Sequence, residues 1–367
     1  MLTGLGAIAA GAAAPVLTLP TPARAATPVK YRPGHYVWPP TLYWTPERRA
    51  GTYALIDSVA TNPYIKGFVL HLNWAYFEST PGNYSTGFEI VDDLLRKLAS
   101  LPTQKYLIMQ TEERAFGANP TTNVYPPYVI NNGWVAVKPA DQTWAGNLVS
   151  VARMWQTNVM DRLIAMSAAY AARYNTNSRL VMYGLGETSL GPPAGTGFTA
   201  DAYYSQLKRW FTESKKVWTQ TPLRLCANYT RNDADMLNLF SQTTSTVVPG
   251  GVAIGGPDPE LPLPDVARTI QANRLFRGES PAPLDRRGVA PWVAEVEEFG
   301  LGVRYTETPQ EIFDYYYSRM HCNYMIWMAN TSVGGDPQRW PAILAFINSI
   351  QGRIWSGPPT VGIWTPA

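Results

Sequence analysis

Residues 67–73 read GFVLHLN, residues 89–99 read EIVDDLLRKLA and residues 105–110 read KYLIMQ. The outer two are short, nearly continuous apolar runs, as strands buried on both faces require. The middle one is amphipathic, as a helix lying on a sheet requires. Together they form a βα unit, in which parallel strands are joined by a covering helix. The same alternation extends in both directions. Strands are expected at 35–38, 67–73, 105–110, 179–184, 223–228, 251–254, 292–297 and 323–327. Helices are expected at 48–60, 89–99, 144–174, 200–218, 264–275, from 308, and at 337–349. The helix from 308 opens on Thr308-Pro309-Gln310-Glu311, an N-cap followed by a first-turn proline.

Eight strands alternating with helices predict an α/β fold, a single (β/α)₈ TIM barrel over residues 26–367 with elaborated βα loops. An insertion over residues 112–142, rich in Gly, Asn, Pro and aromatics, has the character of a binding loop. An open doubly wound sheet would want a Gly-rich phosphate turn after the first strand, and residues 35–47 have none.

The chain has 367 residues, 16% charged and 46% hydrophobic, enough for a sizeable core and unlike a disordered composition. A net charge of +3 with no run of Lys or Arg gives no basis for nucleic-acid binding. Thirteen Trp, 21 Tyr and 32 Pro suit a carbohydrate cleft, although a barrel also buries aromatics between sheet and helices. Leu2 to Leu19 is apolar or small and Ala23-Arg24-Ala25 offers a cleavage pattern, so residues 1–25 read as an export signal lacking its basic start. The chain is therefore expected to be secreted or periplasmic, without stable membrane insertion. Cys226 and Cys322 fall on the fifth strand and at the start of the eighth, too far apart to bridge, and read as two buried thiols. His35, His71 and His321 are scattered, so no metal or other cofactor is implied.

Barrel active sites form at the C-terminal ends of the strands. Polar residues there are Asn73, Trp74 and Glu78 after the second strand, and Gln110, Glu112, Glu113 and Arg114 after the third. Glu187 follows the fourth, Asn228 and Tyr229 the fifth, and Asp258 the sixth. Glu295, Glu297 and Glu298 end the seventh, and Trp327 and Asn330 the eighth. One mouth thus gathers carboxylates and aromatics. Two carboxyl groups cut a glycosidic bond, about 5–5.5 Å apart for retention and about 6.5–9.5 Å for inversion. Glu187 and a seventh-strand Glu face each other across such a mouth.

Trp74-Ala75-Tyr76-Phe77-Glu78-Ser79-Thr80-Pro81-Gly82-Asn83-Tyr84, with Asp92 and Asp93 on the next helix, resembles the W-x-x-x-E-x-x-x-G-x-Y stretch of the retaining (β/α)₈ glycoside hydrolase clan, the cellulase- and β-galactosidase-like enzymes. Glu298-Phe299-Gly300 is similar to the E-F-G that ends the seventh strand in cellulase-like members. The resemblance implies Glu187 as acid/base, Glu298 as nucleophile and Trp327 as the eighth-strand Trp. Two departures leave the family within the clan open. Gly186 stands where the clan has the Asn that holds the sugar 2-hydroxyl, and Gly255-Gly256-Pro257-Asp258 replaces a His or Tyr.

Strand alternation leaves the second carboxylate open. If Trp292, Ala294 and Val296 face inward it is Glu298; if Val293 and its partners do, it is Glu295 or Glu297. Trp74 and Trp327 are candidate sugar platforms, and Glu112, Glu113 and Arg114 are a candidate substrate clamp or an ion-paired loop. Asp258 is placed at the substrate or at a helix cap, and His71 reads as a core histidine. The leading expectation is a polysaccharide hydrolase, retaining and endo-acting. The alternatives are a non-hydrolytic glycan-binding barrel, motivated by Gly186, and a lyase on an acidic polysaccharide, with Tyr229 as base and Arg114 holding the uronate.

Overall fold

The computed structural model describes residues 28–39, 41–116, 121–138, 149–188, 195–227, 252–257, 291–296, 308–318, 321–329, 339–359 and 364–365. Eight strands are β2 (Gly34–Trp38), β3 (Ile65–Asn73), β4 (Tyr106–Glu112), β8 (Leu180–Leu185), β9 (Leu223–Cys226), β10 (Val252–Pro257), β11 (Trp292–Val296) and β12 (Tyr324–Met328). They close in the order β10-β11-β12-β2-β3-β4-β8-β9, every pair parallel. The expected TIM barrel is the fold.

Alternate residues of each strand serve two cores, because successive side chains leave a strand on opposite sides. Tyr36, Val69, Ile108, Met182, Ala253, Val293 and Ile326 share the barrel interior. Val37, Leu70, Leu107, Leu225, Ala294 and Trp327 join the layer under the helices. That layer is covered by α1 (Pro46–Ser58), α3 (Ser85–Ala99), α5 (Thr157–Tyr174), α6 (Ala200–Val217), α7 (Pro309–Ser318) and α8 (Arg339–Ser349), with the single turn α2 (Trp74–Phe77) after β3. Thr45, Thr199 and Thr308 cap α1, α6 and α7 by accepting first-turn backbone N–H groups.

The far end of the barrel is closed by β1 (Val29–Lys30), parallel to β13 (Trp364–Thr365). The buried Lys30 ammonium donates to the carbonyls of Asn175, Asn177 and Leu180 at 2.7–2.8 Å and to the Thr221 hydroxyl at 2.6 Å.

The helix expected over residues 144–174 is shorter. Val149–Ala152 forms β7, the centre of a three-stranded antiparallel sheet with β5 (Arg114–Phe116) and β6 (Val135–Val137). Val149, Ser150 and Val151 carry a strand's alternation and β-branching, and pairing with two neighbours overrides the helical reading. The insertion is therefore a folded platform, with α4 (Pro127–Asn131) beside its sheet, that begins directly at Arg114. Residues 1–25 and the helix expected at 264–275 lie outside the described residues. Among the described residues no helix is long and apolar enough to cross a membrane.

Candidate active site

The C-terminal ends of β3, β4 and β8 bring four ionisable side chains into one chain of contacts. His71 and Asn73 share the interior parity of Val69, and Gln110 and Glu112 that of Ile108. His71 Nε2 lies 2.8 Å from Glu112 Oε2. Glu112 Oε1 lies 2.9 Å from Arg114 Nε, and Arg114 Nη1 lies 3.2 Å from Glu187 Oε1. Arg114 Nη2 also donates to the Glu187 carbonyl. One guanidinium thus holds Glu187 by side chain and main chain. The Glu187 side chain keeps 22% of its exposure, against 2% for Arg114, so Glu187 is the member solvent and substrate can reach.

The backbone around Glu187 is pinned from both sides. Thr188 N–H donates to the Cys226 carbonyl at 2.9 Å, and the Tyr203 hydroxyl donates to the Thr188 carbonyl at 3.0 Å. Gly186 N–H donates to Glu113 Oε2 at 3.0 Å. Burial and the adjacent Glu112 charge push the Glu113 carboxyl well above the usual range, favouring its neutral form. Burial alone would raise Glu112 too, but Arg114 and His71 outweigh it and hold that carboxyl ionised. A Cβ on Gly186 would lie 2.8 and 2.9 Å from the two Glu112 oxygens. Glu112 fills the space a side chain before Glu187 would need, which explains the glycine there.

A second network lies inside the barrel. Arg224 Nη2 donates to Glu295 Oε2 at 2.8 Å, and its Nη1 donates to Gln110 Oε1. The Cys226 thiol points at Glu295 Oε2 from 3.7 Å. Burial pushes that thiol up, and the charges of both Glu295 and Glu187 add to the rise. Cys226 therefore stands within electrostatic reach of both carboxylates. Cys226 and Cys322 are free and buried, Cys226 on β9 and Cys322 just before β12, which is not its neighbour in the barrel.

β11 settles its own alternation. Val293 is in the barrel interior, whereas Trp292, Ala294 and Val296 face the helices. The inward-facing set that would favour Glu298 is therefore not the one adopted, and Glu295 is the described carboxylate on the barrel face. Glu297, Glu298, Tyr229 and Asp258 lie outside the described residues. Of the two readings of Glu112 and Arg114, the ion-paired one matches their contacts, Arg114 facing both Glu112 and Glu187. Among the described residues no three His, Cys, Asp or Glu side chains are grouped as metal ligands.

Neither candidate sugar platform is open. Trp327 belongs to the layer under the helices, fully buried, and its Nε1–H donates to His35 Nδ1 at 3.0 Å. The eighth-strand Trp was expected at the mouth, but its parity is that of Met325, which faces the helices. His35 Nε2–H donates to the Arg353 carbonyl at 3.0 Å, so the ring is held neutral. Burial lowers its pKa from 6.5 to about 4. The unfolded chain therefore binds the extra proton first as pH falls. Stability is full above pH 6.5 and drops by about 3 kcal/mol on the way to pH 4. Urea unfolding of the wild type should show this loss, and His35→Leu should flatten it; an equally steep profile in the variant would contradict the assignment.

Trp74 is buried in the motif that follows β3. Its Nε1–H donates to Glu78 Oε2 at 3.2 Å. Glu78 also accepts Gly82 N–H at 2.8 Å and the Tyr128 hydroxyl at 2.7 Å, and pairs with Arg162, which reaches the Tyr84 hydroxyl at 3.2 Å. Gly82 has φ +79°, which only glycine adopts without strain. The spacing W-x-x-x-E-x-x-x-G-x-Y is thus one hydrogen-bonded unit that ties the second-strand loop to the insertion and to α5.

No family model matches the chain, and no curated protein matches it in sequence. Solved structures do match its fold. Endoglycoceramidase II from Rhodococcus sp., in complex with a cellobiose-like imidazole, superposes with a TM-score of 0.56 at 13% identity, over 84% of this chain and 75% of that one. Its lactosyl–enzyme intermediate gives 0.53 at 14%, over 84% and 74%. A β-galactosidase from Rahnella sp. R3 gives 0.57 at 11%, over 91% of this chain and 57% of that one. The barrel is one shared with glycosidases. At these identities the likeness is one of fold.

Proposed function

We propose that this chain is a retaining glycoside hydrolase acting on a neutral glycan, with Glu187 as acid/base. The observation that carries the reading is Glu187 itself: a reachable carboxylate at the end of the fourth barrel strand, gripped twice by a buried Arg114. The fold shared with glycosidases and the clan-like motif after β3 support the same reaction class. Glu187 protonates the glycosidic oxygen as its bond to C1 breaks, and a seventh-strand carboxylate forms a bond to C1. Water then attacks C1, gives its proton to Glu187, and the carboxylate leaves.

Glu298 is the nucleophile that the Glu-Phe-Gly resemblance designates; the alternation of β11 favours Glu295 or Glu297. Gln substitutions at Glu295, Glu297 and Glu298 separate them. Only the nucleophile variant should be rescued by azide to give a glycosyl azide of inverted configuration. Rescue of none would contradict a seventh-strand nucleophile.

A neutral substrate is supported by charge. Arg114 at the mouth and Arg224 inside the barrel both face protein carboxylates. That removes the basis for a lyase gripping a uronate with Arg114. Trp38 Nε1, His71 Nδ1 and the Asn73 amide, at the ends of β2 and β3, are buried without a hydrogen-bond partner among the described residues. Such groups cost free energy until something like a sugar hydroxyl pairs them. The glycan-binding alternative rested on Gly186, which the Glu112 carboxylate accounts for. The folded platform beside the mouth supports an extended substrate and endo action, and the export-type start of the chain supports action outside the cytoplasm.

A further inference from the structure

Resting on that reading of Glu187, we propose that Glu112 is a positioning residue that acts through Arg114, fixing where the guanidinium points and how much of its charge falls on Glu187. Arg114 is the only link needed. Its Nε faces Glu112 at 2.9 Å while Nη1 and Nη2 hold Glu187, so the two glutamates compete for one cation. Glu112 cannot drift away, because its other oxygen is held at 2.8 Å by His71 Nε2. That bond makes Nε2 the protonated nitrogen, since a carboxylate only accepts. The His71 ring is in turn packed 5.0 Å from the Trp38 ring.

The sequence makes room for this device at one position. Any side chain at residue 186 would meet the Glu112 carboxylate at under 3 Å, and the glycine there leaves it in place. The charged and titratable groups facing Glu112 are His71 from β3 and Glu113 and Arg114 beside it, with the Tyr125 hydroxyl nearby; Glu187 meets the other nitrogens of Arg114. Tyr203 faces Arg114 from α6. Burial pushes the Glu113 carboxyl toward its neutral form, so the contacts at the guanidinium set Glu112 against Glu187.

The consequence is readable with or without turnover. In Glu112→Gln the Arg114 charge falls undivided on Glu187. Its carboxyl should then titrate about one pH unit lower, the size of effect a close opposite charge produces. The probe is protein labelled with ¹³C at Glu side-chain carboxyls, in which the resonance lost from Glu187→Gln is assigned to Glu187. That resonance should shift its midpoint down in Glu112→Gln, and also in Gly186→Ala, which displaces the Glu112 carboxylate without removing it. An unchanged Glu187 midpoint in whichever of the two variants folds overturns the proposal. With substrate, the alkaline limb of the kcat/KM profile should move down by the same amount. A wild type without hydrolysis would instead refute the reading of Glu187 as acid/base, while the carboxyl titration still decides the role of Glu112.

Discussion

Glu187→Gln should fold like the wild type and lose roughly 10³-fold in kcat/KM on glycosides with poor leaving groups, within the range general acid catalysis contributes. The fold should survive because the side chain is partly exposed and Arg114 keeps its pairing with Glu112. A glutamine retains an oxygen for Arg114 but has no proton to give the glycosidic oxygen. The loss should therefore shrink on aryl glycosides whose leaving groups depart without protonation. Rates on a graded aryl series, beside thermal unfolding, check both parts. Loss of equal size across the series, or near wild-type rates throughout, would remove Glu187 from the acid/base role.

Arg114→Met should cost about 3–5 kcal/mol of stability, the usual penalty for stripping one partner from a buried ion network. Methionine fills most of the volume, so the loss is electrostatic rather than a cavity effect. It leaves Glu112 ionised in a buried site beside Glu113, with Glu187 released from both of its contacts. Activity should fall with it, because Glu187 loses its hold by side chain and main chain. Adding Glu112→Gln should recover part of the stability, since it removes the stranded charge, and a double-mutant cycle measures that coupling. Urea midpoints give the numbers. A cost under about 1 kcal/mol, or no recovery in the double variant, would show that Arg114 does not organise the mouth.

Much of the barrel is legible in the sequence because its strands are buried on both faces. Runs such as GFVLHLN and KYLIMQ carry that signal alone, and β3 and β4 fall where those runs stand. The β7 strand was hidden because Val149–Ala152 abuts α5, and only pairing with β5 and β6 distinguishes it from a helical lead-in. At the site, Glu187 follows its strand in a short Gly-rich turn and is visible from strand order. Arg224 and Cys226 were not, because their partners are remote in sequence: Arg224 meets Gln110 114 residues away and Glu295 71 residues away. One signal was available. Polar residues two apart within an apolar strand, such as Gln110 and Glu112 or Arg224 and Cys226, must share a face. On β11 the rule puts Glu295 and Glu297 on one face without saying which face is inward, and the run YMIWM of β12 has no polar pair to mark the face of Trp327. His71 read as a core histidine because Glu112, its partner, is 41 residues away on the neighbouring strand.

The decisive measurement is the anomeric configuration of the first product, followed by ¹H NMR during hydrolysis of neutral aryl and oligosaccharide glycosides by the purified wild-type chain. A two-carboxylate mechanism with a covalent intermediate predicts that the first sugar released keeps the anomeric configuration of the substrate, and that Glu187→Gln releases it far more slowly from unactivated glycosides. Release of the opposite anomer, or no release from any neutral glycoside by well-folded protein, would contradict it.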